Sequence, residues 1–134
     1  KELDLDKKKR IQLLKKAIVS IEEIAPQTVE KMKDKLRSRI QEFVEVSTED
    51  ERLLKEIAIF AERVDITEEI VRFKAHLKSL EKETSGKTIE FILQELGREI
   101  NTIGSKSQDF QISQGVIAIK SELEKLKEQA QNVE

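Results

Sequence analysis

The sequence predicts an all-α protein: an elongated antiparallel helical hairpin followed by a helical bundle, about six helices in all. Three observations predict it. Gly and Pro are scarce, four and one in 134 residues, and charged residues make up 39%; a Glu/Lys/Leu/Ile-rich chain of this kind favours long helices with few tight turns. Apolar residues recur at helical spacing through most of the chain, as one buried face per helix requires. Cap residues and glycines punctuate that pattern where helices should start and stop.

Ile11, Leu14, Ile18 and Ile21 mark the first helix, from about Asp4 to Ile24. Pro26 is expected to break it and to sit in the first turn of the next. The second stripe is Val29, Met32, Leu36, Ile40 and Phe43, so residues 1–46 read as a helical hairpin. Residues 47–134 read as a helical C-terminal domain. Thr48 and Glu51 fit a capping box ahead of a third helix, with Leu53, Leu54, Ile57, Phe60, Ala61 and Val64 inward. Asp65 and Glu68 form a second such pair before a fourth helix that buries Ile66, Ile70, Phe73, Leu77 and Leu80.

A short polar loop, Glu83 to Lys87, leads to a fifth helix from about Thr88 to Ile103. It should bury Ile89, Ile92, Leu93, Leu96, Ile100 and Ile103. Gly97 lies inside it at a cost of about 1 kcal/mol relative to Ala, which calls for a packing or close-approach reason. Gly104 suits the stop. After a polar joint from Ser105 to Asp109, a last helix carries Ile112, Val116, Ile119, Leu123 and Leu126.

Composition also excludes. Without Cys there is no disulfide framework, thiolate metal site or Cys nucleophile. No apolar run approaches the roughly 18 residues that would span a bilayer, so no membrane is expected and the cytoplasm is the default compartment. The first residue is Lys1 in a charged helical lead-in, which predicts a fragment of a longer protein. A formal net charge of −2 argues against nucleic-acid binding by a simple basic surface, though not against a local patch. There is no Walker loop, dinucleotide fingerprint or HExxH motif.

Two helices depart from generic Lys/Glu solvation. On the fourth, Glu69, Arg72 and His76 share one face at i, i+3 and i+7, and His76 is the only histidine. Glu62, Asp65 and Glu68 form a carboxylate cluster just ahead of them. On the fifth, Gln94, Arg98 and Asn101 form one stripe and Glu95, Glu99 and Thr102 the neighbouring one. Asn and Thr are mediocre helix formers, so such a face is better suited to fixed hydrogen bonds than to solubility alone. Gly104, Ser105 and Lys106, just ahead of the last helix, could hold an anion on backbone N–H groups, a hydroxyl and an amine. Spacing alone is also met by blander roles. Glu69 with Arg72 fits a salt bridge, Asp65 with Glu68 a cap, and the whole set a buried polar interface between helices.

The run Glu51-Arg52-Leu53-Leu54-Lys55-Glu56, the run Ala61 to Glu69, and Arg72 to His76 resemble the YicC family of bacterial proteins. So do Phe91 to Lys106 and the ending from Glu122 to Glu134, so that the resemblance covers about Glu51 to Glu134. Two departures stand out: Gly97 occupies a position where a larger residue, often Asn, is usual, and the loop from Ser85 to Thr88 is short. The resemblance implies a metal-assisted endoribonuclease acting on RNA, a ring-like homo-oligomer, and a further N-terminal domain.

On that reading Glu62, Asp65, Glu68 or Glu69, with Glu95 or Glu99, bind Mg²⁺ or Mn²⁺, hard cations that prefer oxygen. His76 acts as general acid or base, or as a ligand for Mn²⁺, beside the catalytic carboxylates Glu69, Glu95 and Glu99. Arg72, Arg98, Ser105 and Lys106 contact phosphate, and Gln94 and Asn101 orient side chains or contact RNA. The alternatives are a helical oligomerisation module, whose polar face only fixes helix register, and an RNA-binding adaptor without its own catalysis.

Overall fold

The computed structural model describes residues 2–45 and 50–132, with side chains from Leu5 onward. They form five helices: α1 (Glu2–Phe43), α2 (Glu51–Val64), α3 (Thr67–Lys82), α4 (Gly86–Lys106) and α5 (Phe110–Asn132). The all-α expectation holds. The first half of α1 packs with α3, α4 and α5 into a four-helix bundle, each helix antiparallel to its neighbours in the order α1, α3, α4, α5. The stripe Ile11, Leu14, Ile18 and Ile21 is buried there against Phe73, Leu77, Leu96, Ile100, Ile112 and Ile119. Each such side chain contributes about 1.5–3 kcal/mol by leaving water.

The hairpin expected in residues 1–46 is corrected: α1 runs unbroken for 42 residues with Pro26 inside it. Proline removes one backbone donor and crowds the preceding turn, but packing on both sides outweighs that cost. Ahead of Pro26, α1 lies in the bundle core; beyond it, α1 lies against α2. The hairpin partner of the distal half of α1 is therefore α2, and the break between α2 and α3 falls beside Pro26.

This two-helix arm is thinly covered. Val29, Met32, Leu36 and Ile40 are half-buried and Phe43 is 85% exposed. On α2, Leu53, Ile57 and Val64 are buried as expected, whereas Leu54 points to solvent.

Cap chemistry differs from the expected boxes. Asp50 caps α2, its side chain accepting from the N–H groups of Arg52 (2.9 Å) and Leu53 (3.2 Å); Thr48 lies outside the described residues. At the α2–α3 joint Asp65 accepts from the backbone N–H (3.0 Å) and hydroxyl of Thr67, but Glu68 does not answer it and turns toward Arg72 instead. Asp109 caps α5 through the N–H of Ile112 at 2.9 Å. Gly104 is not the stop: α4 continues to Lys106, and a Cβ at Gly104 would stand 3.3 Å from the side chain of Val116, so the glycine lets α5 approach.

Candidate functional site: the polar seam of α3 and α4

Antiparallel packing of α3 and α4 brings together residues 27 to 41 positions apart in the chain. Arg72 on α3 donates from Nε to Oε2 of Glu99 on α4 at 3.0 Å. Its NH2 stands 3.6 Å from Glu69 Oε2 and its NH1 3.7 Å from Glu68 Oε2. Lys106, in the last turn of α4, reaches back to Glu69 Oε2 at 2.8 Å and to the backbone carbonyl of Asp65 at 3.3 Å. Glu69 is only 5% exposed and Glu99 7%, while Arg72 is half-exposed.

Burying two carboxylates is tolerable because each is met by a cation; alone, either would carry a penalty of several kcal/mol. The hydrogen bond to Glu99 holds the Arg72 guanidinium more firmly protonated than usual, with Glu69 and Glu68 adding to the effect. Asp65 is held below the usual carboxylate range, first by the Thr67 hydroxyl and then by its N–H. One atom is left over: Glu69 Oε1 is buried and has no hydrogen-bond partner. An unpaired buried oxygen is unusual enough to need a reason.

Sequence reasoning placed Glu69, Arg72 and Glu99 in one site, and the structure brings them together with Lys106. His76 lies one turn along α3 from Arg72, and Glu95 one turn back along α4 from Glu99. His76 is half-buried there and makes no hydrogen bond or ion pair among the described residues. Glu95 faces its own neighbour Arg98, at 3.9 Å.

The other expected site residues lie elsewhere. Glu62, Asp65 and Glu68 do not assemble: Glu62 and Asp65 border a groove beside Pro26, while Glu68 leans on Arg72. Among the described residues no group of three or more His, Asp or Glu is placed to hold a metal ion. The expected Mg²⁺ or Mn²⁺ ligands are not gathered, since such ions want several oxygens at once and here Glu69 and Glu99 face Lys106 and Arg72 while Glu62 and Asp65 lie apart from them. Ser105 and Lys106 do not build an anion nest, because they lie in the last turn of α4, where backbone N–H groups point back into the helix. Ser105 donates its hydroxyl to the Thr102 carbonyl at 3.1 Å.

Gln94, Arg98 and Asn101 line a different face, the groove between α4 and α5, with a volume of about 850 Å³. Lys87 and Phe91 extend that stripe along α4, and Lys120 and Lys127 face it from α5. The helix pattern did not single out these four. The available signal was a phenylalanine within a polar stripe and two lysines seven apart on the last helix.

A family model described as "Endoribonuclease YicC-like, C-terminal" matches residues 21–134. The chain belongs to that family. It is 44% identical over 141 aligned positions to a protein of Clostridioides difficile (strain 630) named "Probable endoribonuclease YicC", covering 100% of this chain and 48% of the relative. A protein of the same name from Haemophilus influenzae (strain ATCC 51907 / DSM 11121 / KW20 / Rd) is 31% identical over 114 positions, covering 81% of this chain and 39% of the relative. The chain thus spans about half the length, or less, of these curated relatives. No helix among the described residues is long and apolar enough to cross a membrane.

Proposed function

We propose that this chain supplies the phosphate-handling and proton-transferring groups of an endoribonuclease that works on RNA in the cytoplasm. The observation that carries the reading is the α3–α4 seam: a half-exposed Arg72 gripped by two buried carboxylates, with one oxygen of Glu69 left unpartnered. The names of the relatives support the reaction class.

In this reading Glu69 and Glu99 fix Arg72 and Lys106 in place. The open side of the Arg72 guanidinium takes the scissile phosphate, for which a planar fork of donors is well shaped. Its weakest contact, Glu68 at 3.7 Å, is the one an incoming phosphate displaces. His76, one turn away, exchanges the proton, since imidazole is the side chain that gives and takes protons near neutrality. The expected metal dependence belongs to the same proposal only if ligands from outside the described residues complete a site. The ring-like homo-oligomer also belongs to it, supported by the exposed Phe43, Leu54 and Ile59 on the α1–α2 arm.

Mapping RNA product ends with and without chelator tests this on the intact protein. Ends bearing 2′,3′-cyclic phosphate, insensitive to chelator and lost in His76→Ala, assign the chemistry to His76 acting on the ribose 2′-hydroxyl. Ends bearing 5′-phosphate and lost with chelator assign it to metal-activated water. A pure protein that binds RNA and never cuts it overturns the enzyme reading. It would leave the adaptor reading.

A further inference from the structure

The groove between α4 and α5 lies on the side of α4 away from the Arg72 seam and takes no part in the chemistry proposed for it. Its walls carry four cations: Lys87 and Arg98 on α4, Lys120 and Lys127 on α5. Two carboxylates, Glu90 and Glu124, also line it, so it carries a formal charge of +2 on a chain whose net charge is −2. Among the described residues Lys87, Lys120 and Lys127 make no ion pair. The lysines of the α1–α3 seam, Lys15 and Lys74, are by contrast each matched by a glutamate.

Two further features lie in the same groove. Phe91 is 62% exposed, an aromatic ring left in water on a stripe whose other members, Gln94, Arg98 and Asn101, are polar. Gly97 sits in the lining, and a Cβ built on it would meet nothing within 4 Å. Packing inside the chain therefore does not ask for a glycine there. A bare backbone at that place lets something from outside the chain come close.

We infer that this groove is a track for single-stranded RNA, an inference that rests on the reading of the protein as one that acts on RNA. Unpaired lysines on both walls match a phosphate backbone, and an exposed ring offers a stacking face to an unpaired base. Gln94 and Asn101 offer amide donors and acceptors to base edges or ribose hydroxyls. Lys87 and Asn101 are 14 steps apart, about 21 Å of helix at 1.5 Å per residue, a length suited to a few nucleotides. The track shares α4 with the Arg72 seam, and a helix with its side chains is only about 10–12 Å across, so one strand can touch both.

The test is fluorescence anisotropy of the intact protein with a labelled, fully 2′-O-methylated 16-nucleotide RNA, single-stranded or annealed to its complement, in chelator so that binding is read without cleavage. The single strand should bind more tightly than the duplex. Lys120→Glu with Lys127→Glu should weaken single-strand binding about tenfold or more. It should also flatten the dependence of log affinity on log salt by about 1.4, at roughly 0.7 per lost phosphate contact. Phe91→Ala should weaken binding about fivefold or more. Gly97→Leu, which sends a bulky side chain into the groove from a position whose Cβ has open space, should weaken binding while leaving thermal stability at least as high as wild type.

Wild-type affinity in both the double-lysine variant and Gly97→Leu overturns the track, and so does tighter binding of the duplex. If the groove variants lose binding while Arg72→Ala binds and does not cut, the track and the nuclease reading both stand. If they lose binding and the wild type never cuts, the track stands and the nuclease reading falls. If they bind normally while His76→Ala abolishes cutting, only the track falls. A wild type that binds neither RNA form overturns both.

Discussion

Arg72 Nε and Glu99 Oε2 meet at 3.0 Å across the α3–α4 interface, with the carboxylate almost wholly buried and the guanidinium half in water. The arrangement is asymmetric. Removing the carboxylate leaves a cation that water can still solvate, whereas removing the guanidinium leaves a buried anion with no partner. Arg72→Met should therefore lower Tm more than Glu99→Gln does. The double variant should be more stable than Arg72→Met alone, because the orphaned charge is gone. Thermal unfolding followed by circular dichroism, run as a double-mutant cycle, measures this. Additive single effects would show that the pair is not coupled.

Asp65 gives a pH signature. Hydrogen bonds from the Thr67 hydroxyl and N–H depress its pKa in the folded state below the ordinary 3.8. A depressed carboxylate contributes stability that is fully present above the unfolded value and is lost as pH falls through the folded one. The difference in Tm between wild type and Asp65→Asn should therefore be constant from about pH 5 to 8 and close below about pH 3.8. Arg72 works in the opposite direction. The Glu99 hydrogen bond raises its pKa above the ordinary guanidinium value, so its share of stability is lost only in strong alkali and adds nothing to this window. A Tm difference that persists at pH 2 would show that Asp65 acts through packing alone.

Pro26 lies exposed inside a continuous helix. Replacing it with Ala restores the missing N–H and removes the ring from the preceding turn. Pro26→Ala should raise the free energy of unfolding by about 1–3 kcal/mol, read from urea titration. The lower end is expected because the fold has already adapted, with the α2–α3 break beside the proline. No gain, or a loss, would mean that the proline fixes a bend on which the arm depends.

The donor set makes a prediction about metal. Glu69 and Glu99 already face Arg72 and Lys106, and no group of three acidic or imidazole ligands is assembled among the described residues. Millimolar Mg²⁺ or Mn²⁺ should therefore leave the Tm of this chain within about 1 °C of its value in chelator, because only an ion that binds the folded state raises it. A rise of several degrees, abolished by Glu69→Gln, would place a cation in the seam after all.

What could be read from the sequence follows from what one helix can know about itself. Periodicity located the buried faces of α3, α4 and α5 because each face is set by its own spacing, and it put Glu69 with Arg72 for the same reason. It could not set the register of α4 against α3, which is what chose Glu99 over Glu95 as the partner of Arg72 and brought Lys106 to Glu69. Pro26 misled because local propensity favours a break there, and the long-range packing that overrules it leaves no local mark. Lys120 and Lys127 were invisible as a pair with Arg98 until α5 was laid beside α4.

The glycines of α4 provide a matched comparison, seven residues apart on one helix. At Gly104 a new Cβ would stand 3.3 Å from the Val116 side chain, tighter than most packed contacts, so Val116 must give by a few tenths of an ångström to admit it and by more for a larger side chain. At Gly97 a new Cβ meets nothing within 4 Å. Gly104→Leu should therefore destabilise by about 1–3 kcal/mol through overpacking. Gly97→Ala should stabilise by up to about 1 kcal/mol, as expected where a helix-interior glycine has room for the added methyl. Urea unfolding of the two variants beside wild type gives both signs in one experiment. The same sign for both would show that helix propensity, and not the approach of α5, governs Gly104. Opposite signs establish that α4 uses one glycine to seat its neighbour and leaves the other bare toward solvent.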